Sequence, residues 1–455
     1  MSSERRFRRI FWFATIAIVV ALVLFYGSDS GKVDLGEASM PPLPVLAPEE
    51  NAYCAIAEYA KSLPLDADAL DLLNAFADGE TNRVEAADAV KAVLDSDPGT
   101  VALVRRILAS RGVRVPDGES LKRLPLAVMQ ERVLPVYKAK AVCEALRGDL
   151  AAARATVAEL YRAGRFLMDS DGIPVQVWVC GDDLCHGVLE AAAVPPLAPP
   201  GDEAWLAKLR EMHLALLDND VERVKRALWR SLQHAGRSWL AGASRDAAFA
   251  DAGYGASWKE PFEPLFDKTG AVVDRWAKQR HEPGFVATEL MRAVPGFEAY
   301  SFQPNRTLKE CKDTVEWVCA NLDAGYGNGD WRRVEVTADF LMRALLDRNW
   351  LGTESVHTLI AHSCRASHKS LFVHRLRARA SAAALACRSY RDRHGKWPER
   401  LEDLVPEFLS KVPRDGYIYR GTRDGNPLLY DKSQHFIWSA NESDRKFWCD
   451  AQERR

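Results

Sequence analysis

The stretch Cys180-Gly-Asp-Asp-Leu-Cys185-His186 sets two thiols, two carboxylates and an imidazole close together. Three chemistries suit those residue types. In an oxidising compartment Cys180 and Cys185 can pair across a loop, and this disulfide is the favoured reading. A metal ion would need one or two further ligands, which the sequence does not nominate. Covalent haem usually takes Cys-x-x-Cys-His, and the spacing here is two residues longer. No cofactor is therefore expected.

A second group lies further on. On one helix, His357, Cys364 and His368 would share a face. Cys364 and His368 are one turn apart and could share a metal, whereas His357 would stand about 16 Å from His368, too far for the same ion. Ala361 and Leu371 fall on that face too, which favours a packed helical stripe. His362 and His374 point elsewhere. The run Arg375, Arg377, Arg379, Arg388, Arg391 and Arg393 spreads around its helix and reads as solvated surface. A third group, Glu260, Glu263 and Asp267, falls in a weakly periodic section, 242–305, where a hydrolase could gather its acids. No Ser-His-Asp arrangement, Gly-rich phosphate loop or His-Glu-x-x-His motif is apparent.

These groups are placed by the elements around them, beginning with Ile10 to Tyr26. This uncharged apolar run spans about 25 Å as a helix, enough to cross a bilayer. Arg5, Arg6, Arg8 and Arg9 precede it, so the positive-inside rule keeps residues 1–9 in the cytoplasm. The bulk of the chain is then exported from a single-pass anchor in the bacterial inner membrane. A cleaved signal peptide has a similar layout, but the longer run and the poor Ser28-x-Ser30 site favour retention. Residues 27–48, with Pro41, Pro42, Pro44 and Pro48, form an extended linker.

The 455 residues suffice for two or three domains, and 47% hydrophobic residues supply a core. A net charge of −2 gives no electrostatic footprint for nucleic acid. Nine cysteines, an odd number, leave at least one outside any intramolecular pairing. Cys311 and Cys319 would lie about 12 Å apart on one helix and could not bond.

From 49 to 369 the pattern is helical. Helices are predicted over 51–62, 66–77, 82–94, 101–110, 125–146, 150–163, 203–217, 221–234 and 307–322, with a short strand at 173–179. Gly148 suits a left-handed helix end and Asp149 a cap; Asp218-Asn219-Asp220 repeats that grammar, and Asn328-Gly329-Asp330 offers a further copy. The pairs resemble tetratricopeptide-like hairpins, but the spacing is irregular, which favours ordinary antiparallel hairpins over a regular solenoid.

Residues 370–455 form a separate α/β module: one helix over 370–393, a short helix opened by Pro398 with Leu401, Leu404 and Val405 facing inward, and strands at 417–420, 428–431 and 435–439. Arg388-Ser-Tyr-Arg-Asp-Arg-His-Gly-Lys-Trp-Pro-Glu-Arg-Leu-Glu-Asp-Leu-Val-Pro-Glu-Phe-Leu, followed by Val412-Pro413-Arg414-Asp415, resembles the C-terminal part of type II secretion major pseudopilins. Glu50-Asn51-Ala52 and Gln303-Pro304-Asn305-Arg306-Thr307-Leu308 resemble segments of membrane-anchored helical proteins of planctomycete-type bacteria, which end in a similar module. The N-terminus carries no prepilin-peptidase site. In place of the pseudopilin calcium loop stands Trp438-Ser-Ala-Asn-Glu-Ser-Asp, where Asn441, Glu442 and Asp444 read as solvated loop residues.

The expected class is therefore mainly α: a transmembrane helix, an irregular helical-hairpin domain and a small α/β module. The expected role is a non-enzymatic binding or scaffold protein of the envelope, held in the membrane through residues 10–26 and presenting a helical surface to a protein partner. An envelope hydrolase and a secretion or pilus accessory are the alternatives.

Overall fold

The computed structural model describes residues 45–62, 67–116, 125–171, 173–240, 304–324, 362–416 and 425–449. The expected anchor at 10–26, the acids Glu260, Glu263 and Asp267, His357, the hairpin turn at 328–330 and the strand at 417–420 lie outside them. So do the side chains of Cys364 and His368. Among the described residues no helix is long and apolar enough to cross a membrane.

The described chain is mainly helical. In order it forms α1 (Ala52–Ser62), α2 (Ala67–Asp78), α3 (Arg83–Ser96), α4 (Pro98–Ala109), a π-helical turn (Met129–Val133) leading into α5 (Leu134–Leu146), α6 (Leu150–Asp169), α7 (Val175–Ala192), α8 (Glu203–Ala215), α9 (Asp220–Leu240), α10 (Pro304–Ala324) and α11 (His362–His394). Three strands close it: β1 (Leu429–Asp431), β2 (Phe436–Ser439) and β3 (Glu442–Trp448).

The predicted turns form for the predicted reasons. Gly148 takes φ 84°, a left-handed backbone that costs glycine no Cβ clash. Asp149 then accepts the Ala152 N–H and satisfies one open donor of α6. In the second hairpin Asn219 takes φ 54°, and Asp220 begins α9. Asp220 does more than end a turn. Its buried carboxylate accepts two bonds from the Arg375 guanidinium of α11, at 2.5 and 2.8 Å, and so ties the hairpin to that helix.

The segment 173–179 is corrected from strand to helix. Pro174 precedes the first turn of α7, and Val175, Val177 and Trp178 are all buried. Alternation is lost as evidence because α7 is buried on nearly every side, and a helix so placed can be apolar all round. Its crossing with α6 is close. Gly164 of α6 and Gly181 of α7 meet where a Cβ on Gly181 would lie 2.5 Å from the Gly164 carbonyl oxygen.

The sheet is antiparallel in the order β1-β2-β3, with Tyr430 opposite Ile437 and Ile437 opposite Phe447. Strand β3 is missing from the sequence reading, which left 441–444 as a solvated loop. Strand pairing overrides its polar composition, and Asn441 instead donates 2.8 Å to the Asp415 carboxylate, which also accepts the Ser439 hydroxyl.

Helix α11 extends eight residues before the expected start at 370 and serves two cores. Leu371 and Leu385 join the large core of the helical body. Phe372, Leu376, Ala380 and Ala383 meet Leu401, Leu404, Phe408 and Ile437 in a second core beneath the sheet. A helix buried on two faces needs small side chains, and the alanines of α11 supply them.

The arginine run on α11 is corrected from solvated surface to a set of clamps: Arg375, Arg377 and Arg388 are largely enclosed, while Arg393 stays exposed. Besides Arg375 on Asp220, Arg377 donates to Glu190 at 2.9 Å and Asp183 at 3.3 Å. Arg388 is buried and donates to the Ala193 and Ala198 carbonyls. Arg393 grips Glu203 and Glu407. The basic positions face acids and carbonyls from α7, α8 and α9, partners invisible in the local sequence.

Candidate functional site

Asp182 and His186 stand four residues apart on α7 and so share one face, one turn apart. That face looks at His374 of α11, with His213 of α8 beside it; all four side chains are buried. Asp182 Oδ1 lies 2.5 Å from His374 Nδ1 and 3.3 Å from His186 Nε2. His186 Nε2 and His374 Nδ1 are themselves 3.3 Å apart. On its far side His374 Nε2 meets the Leu216 carbonyl oxygen at 3.2 Å, and Trp178 packs edge-on against its ring. Among the described residues, His186 Nδ1 and both nitrogens of His213 have no hydrogen-bond partner.

The electrostatics follow from this burial. Desolvation favours protonation of Asp182, but His374 and His186 outweigh it and hold the carboxyl well below the usual carboxylate range. Desolvation lowers the pKa of His186 despite Asp182 beside it. His213 is pushed well below the ordinary imidazole value by burial, with His186 and Arg377 adding to the effect. The centre thus holds an ionised carboxylate, with burial disfavouring the charged forms of His186 and His213.

Adjoining it is a cavity of about 390 Å³ between α7, α8, α11 and β3. His213 forms part of its wall, with Arg377, Ser381, Arg445, Lys446 and Trp448. Arg377 is already matched by Glu190 and Asp183. Neither Arg445 nor Lys446 forms a salt bridge with a described residue, though Lys446 interacts electrostatically with Asp431, so Arg445 is the less matched cation of the wall. Lys446 Nζ rests 4.4 Å from the Phe436 ring centroid, a cation–π position that fixes the head group.

The favoured disulfide is corrected. The expected loop is the middle of α7, where residues five apart point about 140° away from each other. The Cys180 thiol faces the Leu126 carbonyl and the Cys185 thiol the Tyr161 carbonyl; both are free. Cys311 and Cys319 both lie on α10. Burial raises the pKa of Cys180 to about 12 and that of Cys185 well above the ordinary thiol value. Native protein treated with iodoacetamide should leave both unmodified, and a non-reducing peptide map should show no Cys180–Cys185 link. A linked peptide from folded protein would refute this arrangement.

The motif that drew attention in the sequence does hold site residues, but they are Asp182 and His186 rather than the cysteines. The residues that meet them are His374, which helical geometry alone had turned away, and its neighbour His213. The i, i+4 spacing of Asp182 and His186 was a usable signal. Nothing local marks His374, 188 residues further along the chain. No family model, curated protein or solved structure matches this chain.

Proposed function

We propose that the protein is a binding protein of the bacterial envelope, anchored through residues 10–26, whose helical body takes a small anionic ligand. The observation that carries the reading is the cavity wall formed by Arg445, Lys446 and His213. Its volume of about 390 Å³ suits a small molecule. Arg445, with Lys446 beside it, would meet a carboxylate or phosphate group, since charge-assisted bonds are the stronger kind. Trp448 and Phe447 offer an apolar wall to the rest of the ligand. The buried, unpartnered nitrogens of His213 add a hydrogen-bonding group at the same cavity.

The test is tryptophan fluorescence of the full chain in detergent, titrated with inorganic phosphate, succinate and, as an uncharged control, glycerol. Saturable change with an anion but not with glycerol is expected, and the double variant Arg445→Ala, Lys446→Ala should lose it. Equal responses in the wild type and the double variant would overturn the reading, as would no saturable response to either anion.

A further inference from the structure

We infer that Asp182, His186 and His374 bind a divalent transition-metal ion through Oδ1, Nε2 and Nδ1. The inference stands on the geometry of these three atoms and does not depend on the anion cavity.

The far side of His374 fixes its hydrogen. The Leu216 carbonyl can only accept a hydrogen bond, so Nε2 of His374 carries a hydrogen and donates it at 3.2 Å. In the neutral ring Nδ1 is then a lone pair. It faces a carboxylate oxygen at 2.5 Å and another imidazole nitrogen at 3.3 Å. Three potential ligand atoms thus converge on one point inside a core, where hydrogens on the imidazoles can serve the carboxylate while no ion is bound. A single proton can bridge one edge of such a triangle. A metal ion serves all three.

The distances fit the ion. Ligand atoms about 2.0–2.1 Å from zinc, at tetrahedral angles, stand about 3.3 Å apart. Two of the three edges have that length. The third is shorter, and opening it needs a shift of less than about 1 Å, within side-chain reach. The three atoms lie within 4.8 Å of one another, and all three residues are buried. The carbonyl on His374 Nε2 is the outer-shell partner that metal-bound histidines regularly have, fixing tautomer and ring orientation. Two imidazoles and one carboxylate select zinc, iron(II), cobalt or nickel over calcium or magnesium, which prefer all-oxygen sites. The nearby thiols point to other carbonyls and take no part.

The experiment uses the full chain in detergent, stripped with EDTA and titrated with Co²⁺ or Zn²⁺. One equivalent of Co²⁺ should bind and develop visible d–d bands, and Zn²⁺ in excess should raise the melting temperature by about 5 °C or more. Asp182→Asn and His186→Gln should each weaken binding roughly 100-fold, because folding free energy and metal affinity share these ligands. His394→Gln, on the exposed end of α11, should not. Where a ligand variant fails to fold, zinc-edge X-ray absorption on the wild type decides: nitrogen and oxygen scatterers with two imidazoles support the assignment. Sulfur in the first shell would place the ion elsewhere, with Cys364 and His368 the obvious pair, and overturn it. So would a stripped wild-type chain that takes up no Co²⁺, or unchanged affinity in folded Asp182→Asn and His186→Gln.

Discussion

Gly181→Val is expected to lower the melting temperature by about 3–5 °C, with Gly164→Val close behind. The two glycines lie where α6 and α7 cross. A Cβ on Gly181 would stand 2.5 Å from the Gly164 carbonyl oxygen and 2.8 Å from Met168; one on Gly164 would stand 2.6 Å from the Cys185 sulfur and 2.7 Å from the Gly181 carbonyl oxygen. Backbone oxygen cannot swing aside as a side chain does, so the helices themselves must separate. Overpacking of a core ordinarily costs about 1–3 kcal/mol, and a backbone clash belongs at the upper end or beyond. The displaced helix carries Asp182 and His186, so metal uptake should fall along with stability. Thermal melts followed by circular dichroism provide the measurement, with Ala151→Val on the exposed side of α6 as the control. Equal melting temperatures for Gly181→Val and Ala151→Val would show that the helices are further apart than described.

Arg388→Met is expected to cost about 2–4 kcal/mol. Arg388 is only 5% exposed. Its guanidinium donates 2.7 Å to the Ala193 carbonyl and also to the Ala198 carbonyl, spanning the connection between α7 and α8. Methionine fills much of the same volume but donates nothing. Two buried carbonyls would lose their charged donor, at about 1–3 kcal/mol each before relaxation. Arg388→Lys should recover part of the loss, since one ammonium cannot reproduce the planar fork. Urea unfolding of the two variants, with amide exchange across 194–201, separates loss of the clamp from loss of packing. A methionine variant as stable as the wild type would mean that these carbonyls are satisfied by other donors.

Much of the helical scaffold was legible from local rules. Gly148 and Asp149 marked a helix end and a cap because only a few residue types tolerate those backbone positions. The spacing of apolar residues announced α1 to α4, α8 and α10 within a few residues of their ends, while α6 and α9 run six residues beyond the expected ends and α5 begins at Leu134 after a π-helical turn. Leu401 and Leu404 turned inward as read, and β1 and β2 fell near their predicted positions. Each of these depends on neighbours a few residues away.

What failed were the segments whose surroundings come from far along the chain. The stretch at 173–179 alternates like a strand, yet it is helical because α7 is enclosed by its neighbours and has little need of a polar face. The arginines of α11 look like solvated charge until α7, α8 and α9 bring up Asp183, Glu190, Glu203 and Asp220. Cys180 and Cys185 read as a loop pair because a short spacer is ambiguous between loop and helix, and the helix separates them. The sequence by itself determined most of the helices and the turns at Gly148 and Asn219, since capping and amphipathic spacing are local properties. Only the tertiary structure decided that Asp182, His186 and His374 converge, because side-chain convergence depends on how distant helices pack, and no local spacing carries that information.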